Sequence, residues 1–315
     1  MSELLHGLVV RDQSGFFWVE VDNGQTYVCR LRGKLMEEAQ SSDIATIGDR
    51  VTFQIVDEET GTIEDVEERD SALSRATRTE GNRGAGQAER EQVIIANADQ
   101  ALFVFAAASP APNFKTLDRF LVAGEKSDIE HLVIVVNKID LGDPTDVREQ
   151  FALYTQIGYD VLYTCALEGI GVDGLREMLA GRISVFTGPS GVGKTSLLNA
   201  IQPGLGRAIK AVGLREEGMH TTRDSALIKL DSGGYIADTP GIRTLSLWDV
   251  EPEELDAYFI DIAPYVAQCR FGDCTHANEP GCAVRQAIDA GHISRSRYKS
   301  YLQLREELEA AYAFT

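Results

Sequence analysis

The stretch Gly188-Pro189-Ser190-Gly191-Val192-Gly193-Lys194-Thr195 decides the fold of the centre of this chain. It fits the pattern G-x-x-x-x-G-K-[ST], in which glycines let backbone N–H groups turn toward phosphate oxygens. An apolar run, Ile183–Thr187, precedes it and an apolar helix-like run follows it. This strand–loop–helix context predicts a nucleotide site in which Lys194 reaches the β- and γ-phosphates as a catalytic group and Thr195 ligates Mg²⁺. We expect contacts from the whole loop and the next residue, namely Gly188, Pro189, Ser190, Gly191, Val192, Gly193, Lys194, Thr195 and Ser196.

A second element, Asp238-Thr239-Pro240-Gly241, follows the apolar run Tyr235–Ala237. An aspartate at the end of such a strand is placed to hold Mg²⁺ through water, and the Gly241 N–H is placed to sense the γ-phosphate. Taken alone, these four residues also fit an ordinary turn. Following a phosphate loop, they predict that Asp238 belongs to the magnesium site.

Two further loops indicate which base is bound. Asn137-Lys138-Ile139-Asp140 follows the buried-type strand Leu132–Val136 and matches the N-K-x-D element of guanine-specific GTPases. The Asp140 carboxylate can accept from both N1–H and N2–H₂ of guanine, a donor pair that adenine lacks. We expect Asn137 to fix the loop and contact the purine, and the Lys138 stem to cover the base. The alternative is a plain turn after a strand.

The stretch Thr164-Cys165-Ala166 is similar to the S-A loop whose backbone N–H contacts the guanine oxygen. Cys165 stands where serine is usual. We therefore add Cys165 and Ala166 to the candidate nucleotide-binding residues.

The rest of the chain divides by pattern into four predicted segments. Residues 1–72 carry five short β-type runs and predict an OB-type β-barrel, with another small β-domain as the alternative. Residues 73–92, rich in arginine and glycine, predict a linker that is either plainly solvated or ordered on RNA. Residues 93–247 alternate apolar strands with helices and predict an α/β P-loop domain with a parallel sheet. Residues 248–315 predict a helical zinc-binding domain.

The last segment contains the spacing Cys269-x₄-Cys274-x-His276-x₅-Cys282. Three thiolates and one imidazole form a closed Cys₃His set, which predicts one structural Zn²⁺ rather than a catalytic ion with an open position. Reduced thiols in a loop are the alternative. Cys29 and Cys165 stand apart and are interpreted as packed or incidental thiols.

Composition limits the classes of function. The 315 residues carry 30 Lys and Arg against 49 Asp and Glu, a formal net charge of −19. Such a chain should not bind polyanions indiscriminately. The longest apolar run, Ala101–Ala108, is too short to cross a bilayer, and the N-terminus lacks the pattern of a secretory signal. We expect a cytoplasmic monomer that does not contact membranes.

The motifs occur in an unusual order, because the guanine elements precede the phosphate loop. In this order the chain resembles the circularly permuted GTPases of the RsgA/YjeQ type. The likeness, over roughly residues 7–305, extends to four other stretches: Cys29-Arg30-Leu31-Arg32-Gly33-Lys34, Gly48-Asp49-Arg50-Val51, Ala96-Asn97-Ala98-Asp99-Gln100 and Asn278-Glu279-Pro280-Gly281-Cys282. The resemblance implies a GTPase stimulated by the small (30S) ribosomal subunit and acting late in its maturation. It would dock on rRNA in its GTP state through the barrel and zinc domain, and leave on hydrolysis.

The resemblance also implies a switch segment at Gly218-Met219-His220-Thr221-Thr222. We favour Thr222 over Thr221 as the residue that completes Mg²⁺ coordination. Ile242 occupies the position of the water-orienting glutamine of many GTPases and cannot orient water. His220 is the catalytic candidate for that role, and a histidine that only packs or contacts rRNA is the alternative.

Two other functions stay open on sequence. One is a zinc-stapled RNA- or protein-binding factor in which guanine nucleotide is a sensory ligand with little turnover. The other is a P-loop ATPase, which Asn137 and Asp140 disfavour. Residues 1–70 hold 6 basic and 16 acidic residues, an odd balance for an rRNA-binding barrel. Arg30, Arg32 and Lys34 could form a local basic patch. Otherwise the acidity lies on the far face, docking uses ribosomal proteins and the C-terminal part, or the partner differs.

Overall fold

Five short strands close into a barrel at the N-terminal end of the chain. The computed structural model describes residues 4–33, 35, 44–78, 89–214, 224–238, 247 and 250–312. Its first strands are β1 (Leu4–Gln13), β2 (Phe16–Glu20), β3 (Thr26–Leu31), β4 (Arg50–Ile55) and β5 (Thr60–Val66). They pair in the order β1-β2-β3-β5-β4, and a β1–β4 pairing closes the ring. Closure removes the exposed sheet edges and confirms the predicted OB-type barrel.

Period-two alternation builds the barrel core. In β2, Phe17 and Val19 are buried while their neighbours are half-buried, and Phe53 and Ile63 face them from β4 and β5. Cys29 lies in the same core and is fully buried. Burial raises the pKa of this thiol to about 12, which agrees with its interpretation as a packed, unreactive cysteine.

The segment expected to be a linker contains paired strands. β6 (Ala72–Arg78) and β7 (Glu89–Ala96) form an antiparallel two-stranded sheet. The glycine and arginine content favoured a linker, but residues 93–96 of β7 are apolar and buried, and they anchor the pair. Packing here outweighs the weak strand preference of the polar partner β6.

The central sheet carries the candidate site at one edge. Its strands are β8 (Gln100–Ala106), β9 (His131–Asn137), β10 (Asp160–Tyr163), β11 (Ile183–Thr187), β12 (Asp224–Lys229) and β13 (Tyr235–Asp238). The order is β10-β9-β8-β11-β13-β12, parallel except for β12, which runs antiparallel to β13. The carboxyl ends of the parallel strands therefore meet at one edge, where ligands bind in open α/β sheets.

Five helices cover the two faces of this sheet. They are α1 (Phe114–Lys126), α2 (Pro144–Ile157), α3 (Val172–Leu179), α4 (Lys194–Ile201) and α5 (Leu205–Leu214). Side chains of α1 and α2 belong to one apolar cluster, and those of α3, α4 and α5 belong to another. Both faces are thus buried, as the near-continuous apolar strands require.

One strand pairing joins the barrel to the central sheet. The end of β1 pairs antiparallel with β12, with Arg11 opposite Ala226 and Gln13 opposite Asp224. The barrel strands and the central strands therefore form one hydrogen-bonded set of eleven.

The described part of the chain after Val250 is helical, as predicted. It contains a 3₁₀ turn (Leu255–Tyr258) followed by α6 (Ala263–Val266), α7 (Ala283–Asp289) and α8 (Arg295–Tyr312). A buried ion-pair cluster ties α8 to α1, because Arg297 donates to Asp118 at 2.6 Å and to Asp261 at 2.8 Å. Among the described residues, no helix combines the length and apolarity needed to cross a membrane.

Candidate functional site

The phosphate loop links β11 to α4 in a conformation that demands glycine. Gly188 has φ +154° and a Cβ there would lie 2.1 Å from the Val104 carbonyl oxygen. Gly193 has φ +94°, and its Cβ would lie 2.4 Å from Asn137 Nδ2. Larger residues would force the loop away from β8 and β9, so these glycines allow the close packing of the loop on the sheet.

A cavity of about 610 Å³ opens at this loop. Its size lies within the range of small-molecule sites. The Lys194 Nζ donates to the carbonyl oxygens of Gly188 and Pro189, each at 2.6 Å, which holds the ammonium at the loop. α4 begins at Lys194, so its N-terminal N–H groups and dipole favour an anion here. The lining residues are Lys138, Gly188, Ser190, Gly191, Gly193, Lys194, Thr195 and Ser196.

Asn137 connects three of the predicted loops. Its Nδ2 donates to the Val192 carbonyl of the phosphate loop at 2.9 Å. Its Oδ1 accepts from Thr164 Oγ1 at 3.2 Å and from the Ala166 N–H at 3.3 Å. Asn137 is 1% exposed, so these bonds are shielded from water. The side chain therefore fixes the N-K-x-D loop against both the phosphate loop and the 164–166 loop.

Lys138 lies across the mouth of the cavity. Its backbone is left-handed, with φ +61°. Its Nζ donates to the carbonyl oxygens of Ser109 and, at 2.6 Å, of Gly191. The aliphatic stem is thereby stretched between two loops, consistent with the predicted cover for a planar base.

Asp140 presents an exposed carboxylate beside a buried thiol. It lies in a 3₁₀ turn, Ile139–Leu141, directly after Lys138. The Cys165 Sγ donates to Asp140 Oδ1 at 3.1 Å. Burial and this hydrogen bond raise the pKa of Cys165, so the thiol stays protonated and remains a donor.

Several predicted residues have no described side chain. Asp238 ends β13 and pairs with Ala226, so its backbone lies at the carboxyl edge of the sheet. Its side chain, together with all of His220, Thr222 and Gly241, lies outside the described residues. Their roles stay predictions.

The four predicted metal ligands come together in the C-terminal part. Their ligand atoms all lie within 4.8 Å of one another: Cys269, Cys274, His276 and Cys282. His276 Nδ1 is 3.5 Å from both Cys269 Sγ and Cys282 Sγ, and the two sulfurs are 3.9 Å apart. Tetrahedral ligands at ~2.0–2.3 Å from Zn²⁺ are about 3.5–3.8 Å apart. The cluster therefore fits one structural zinc ion.

The charge balance of this cluster also favours a cation. Burial would raise the pKa of Cys269, but the N–H groups of Val284 and Ala283 lower it. Burial raises the pKa of Cys274 to about 12. A bound Zn²⁺ would keep such buried sulfurs deprotonated, because metal binding displaces thiol protons.

Sequence reasoning missed a residue that orients the histidine. His276 Nε2 lies 2.9 Å from Asp256 Oδ2, which leaves Nδ1 facing the sulfurs. Burial would lower the pKa of His276, but Asp256 raises it. A carboxylate behind a metal-binding histidine fixes the ring and its tautomer. Asp256 lies twenty positions before His276, outside the Cys/His spacing, so no sequence signal linked the two.

The comparisons with known proteins cover nearly the whole chain. Residues 6–63 match the RsgA N-terminal domain family and residues 66–248 match the RsgA GTPase family. A relative from Gemmatimonas aurantiaca, named small ribosomal subunit biogenesis GTPase RsgA, is 42% identical over 98% of this chain and 99% of its own length. One of the same name from Moorella thermoacetica is 40% identical over 97% of this chain and 98% of its own length.

Two solved structures are similar over almost their full length. YjeQ from Thermotoga maritima is 36% identical, with a TM-score of 0.78 over 97% of this chain and 99% of that one. YloQ, described as a circularly permuted GTPase, is 30% identical, with a TM-score of 0.74 over 98% of this chain and 96% of that one. Together with the order of the nucleotide loops, these matches establish that the chain belongs to the RsgA family of circularly permuted GTPases, enzymes that hydrolyse GTP with Mg²⁺.

Proposed function

We propose that this chain is a cytoplasmic, monomeric GTPase that acts in late maturation of the small ribosomal subunit. It binds the subunit and its rRNA in the GTP state and is released on hydrolysis. The observation that carries the nucleotide half of this proposal is the set of Asn137 hydrogen bonds, which joins the base-reading loop to the phosphate loop. The names of full-length relatives support the ribosomal half.

Each predicted group has a chemical task in this proposal. Lys194 and the N-terminus of α4 bind the phosphates, while Thr195 and Asp238 hold Mg²⁺. Asp140 selects guanine and Lys138 covers the base. When bound, Mg²⁺ neutralises charge on the phosphate oxygens. Thr222 completes the coordination of the ion in the GTP state, as the switch of such enzymes does.

The hydrolytic water needs a positioning group other than the usual glutamine. Ile242 has no polar atom on its side chain, so we assign this task to His220. A protein without its own glutamine is expected to hydrolyse GTP slowly until the ribosomal subunit binds. This reasoning predicts a large difference between the free and the subunit-bound rates.

The barrel offers only a local cationic surface for rRNA. Arg30 is exposed and its guanidinium lies 4.4 Å from the centroid of the Phe16 ring. Arg32 pairs with Glu64, which reduces its charge toward a partner. Lys34, the third basic residue of the predicted patch, lies outside the described residues. We therefore propose that rRNA contacts the barrel over a small area, with much of the docking carried by other parts of the chain.

Turnover of GTP and ATP, measured with and without isolated small subunits, tests this function. We expect turnover of GTP alone, stimulated many-fold by the subunit. Lys194→Ala should lower the stimulated rate about 100-fold or more, because it removes a group that stabilises developing charge. Guanine-specific binding without stimulation would contradict the ribosomal half and leave the nucleotide half intact.

The second candidate function is a guanine-nucleotide sensor with little turnover, and Ile242 is the observation that favours it. Single-turnover measurement with bound GTP separates the two. GTP that stays intact on the subunit over many binding cycles supports a sensor. Stoichiometric hydrolysis followed by release supports the GTPase.

A further inference from the structure

We propose that Cys165 is a positioning residue for guanine selectivity, acting by holding one oxygen of the Asp140 carboxylate. This inference rests on the proposed guanine site and assigns to the Cys165 side chain a task separate from the backbone contact expected of its loop. The selectivity of the site would then depend on a thiol donor where a hydroxyl donor is usual.

The sulfur is fixed in place by the fold. The Cys165 N–H donates to the Ile170 carbonyl at 3.0 Å, forming an isolated antiparallel bridge that closes the 165–170 turn. The adjacent Ala166 N–H donates to Asn137, which is itself fixed to the phosphate loop. Cys165 is 1% exposed. The 3.1 Å contact between Sγ and Asp140 Oδ1 is therefore held from both sides of the cysteine.

Asp140 needs such an external partner because it is exposed. An exposed carboxylate rotates about its terminal torsion, which is broad for aspartate. Reading guanine takes two parallel hydrogen bonds, from N1–H and N2–H₂, so the plane of the carboxylate must match the plane of the base. A donor fixed to Oδ1 removes this rotation before the nucleotide arrives, and preorganisation of this kind strengthens binding.

A thiol can perform this task only while protonated. Burial, followed by the hydrogen bond to Asp140, raises the pKa of Cys165, so the group is a neutral donor at physiological pH. Serine offers a stronger hydroxyl donor on a shorter side chain, whereas alanine offers none. Cys165→Ser should therefore retain the selectivity, and Cys165→Ala should lose part of it.

The test compares affinities for GDP, IDP and ADP in the full-length wild type and three variants. Inosine lacks the N2 amine, so the ratio of GDP to IDP affinity reports the second hydrogen bond of Asp140. We expect Cys165→Ala to lower this ratio roughly three- to tenfold, with IDP affinity nearly unchanged, since one fixed hydrogen bond contributes on this scale. Cys165→Ser should restore the ratio. Cys29→Ala, which removes a buried thiol from the barrel core, should leave the ratio at its wild-type value.

The outcomes separate this inference from the proposed function. An unchanged ratio in Cys165→Ala, or an equal loss of GDP and IDP affinity that serine does not rescue, would overturn the role of Cys165 alone. A wild-type protein without preference for GDP over ADP would overturn the guanine site, and the role of Cys165 with it.

Discussion

The nucleotide site and the metal centre of this chain are built on opposite plans. The nucleotide site joins several loops, and the polar groups around its 610 Å³ cavity are backbone atoms and the ends of exposed or half-buried side chains. The metal centre brings four side chains within 4.8 Å of one another, and His276 is fully buried. An open set of loops suits a ligand that exchanges, whereas a closed set of ligands suits an ion that stays and stabilises the fold.

Removing a metal ligand should give the largest effect. We expect Cys274→Ser to lower the zinc content of the purified protein from one ion per chain to near zero, and to unfold the segment around α6 and α7. Structural zinc can contribute about 10–16 kcal/mol in isolated zinc-finger peptides. Elemental analysis and thermal unfolding provide the measurement.

The comparison predicts that this damage stays local. Cys274→Ser should leave GDP affinity within a few-fold of wild type, since the described ligands and the phosphate loop belong to separate elements. Cys29→Ala should retain the ion. A full loss of GDP binding together with zinc would mean that the two sites are not independent.

The buried ion pairs of Arg297 test how firmly the region of the metal centre is attached to the central sheet. Arg297→Met leaves the carboxylates of Asp118 and Asp261 buried without their cation. Breaking one side of such a cluster typically costs about 3–5 kcal/mol. Denaturant unfolding should show this loss.

Arg295→Met supplies the matched control on the same helix. Arg295 pairs with Asp289 at 3.7 Å, and both side chains are largely exposed. Exposed pairs contribute about 1 kcal/mol or less. Equal effects of the two substitutions would contradict the view that Arg297 anchors α8 to α1.

Asp140→Ala should weaken the nucleotide site alone. Each hydrogen bond to a charged group contributes about 1.5–3 kcal/mol, so GDP affinity should fall roughly 10- to 100-fold or more. Zinc content should not change. Titration calorimetry measures the affinity, and Asp146→Ala, an exposed carboxylate of α2, should bind GDP as wild type does. Unchanged GDP affinity in Asp140→Ala would remove the guanine-reading role from this residue.

The smallest expected effect concerns the loop between the metal ligands. Burial would raise the pKa of Glu279, but hydrogen bonds from Thr275 and Asn278 lower it to about 2. A depressed pKa means that the contribution to stability is present above the unfolded value, near 4.5, and is lost as the pH falls toward 2. We expect Glu279→Gln to be slightly less stable than wild type at pH 7, with the difference vanishing at low pH. A difference that grows on acidification would contradict this assignment.

Sequence reasoning reached the local features of both sites and missed what distant residues contribute. Contiguous motifs revealed the phosphate loop, the N-K-x-D loop and the Cys₃His set, and alternation revealed the barrel. Asp256 was missed because no spacing links it to His276. The β6–β7 pair was missed because polar residues of β6 depend on the buried half of β7 for their structure. The pairing of β1 with β12, which joins barrel to central sheet, likewise has no local signal.

The contrast between an exchanging site and a permanent one can be measured on a single preparation. Full-length protein is dialysed exhaustively against buffer free of nucleotide and Mg²⁺, and zinc and guanine nucleotide are then counted per chain. The account predicts one retained zinc ion, no retained nucleotide and full recovery of GDP binding when Mg²⁺ and GDP are restored. Loss of zinc in step with the nucleotide, or nucleotide that leaves only when the chain unfolds, would contradict it.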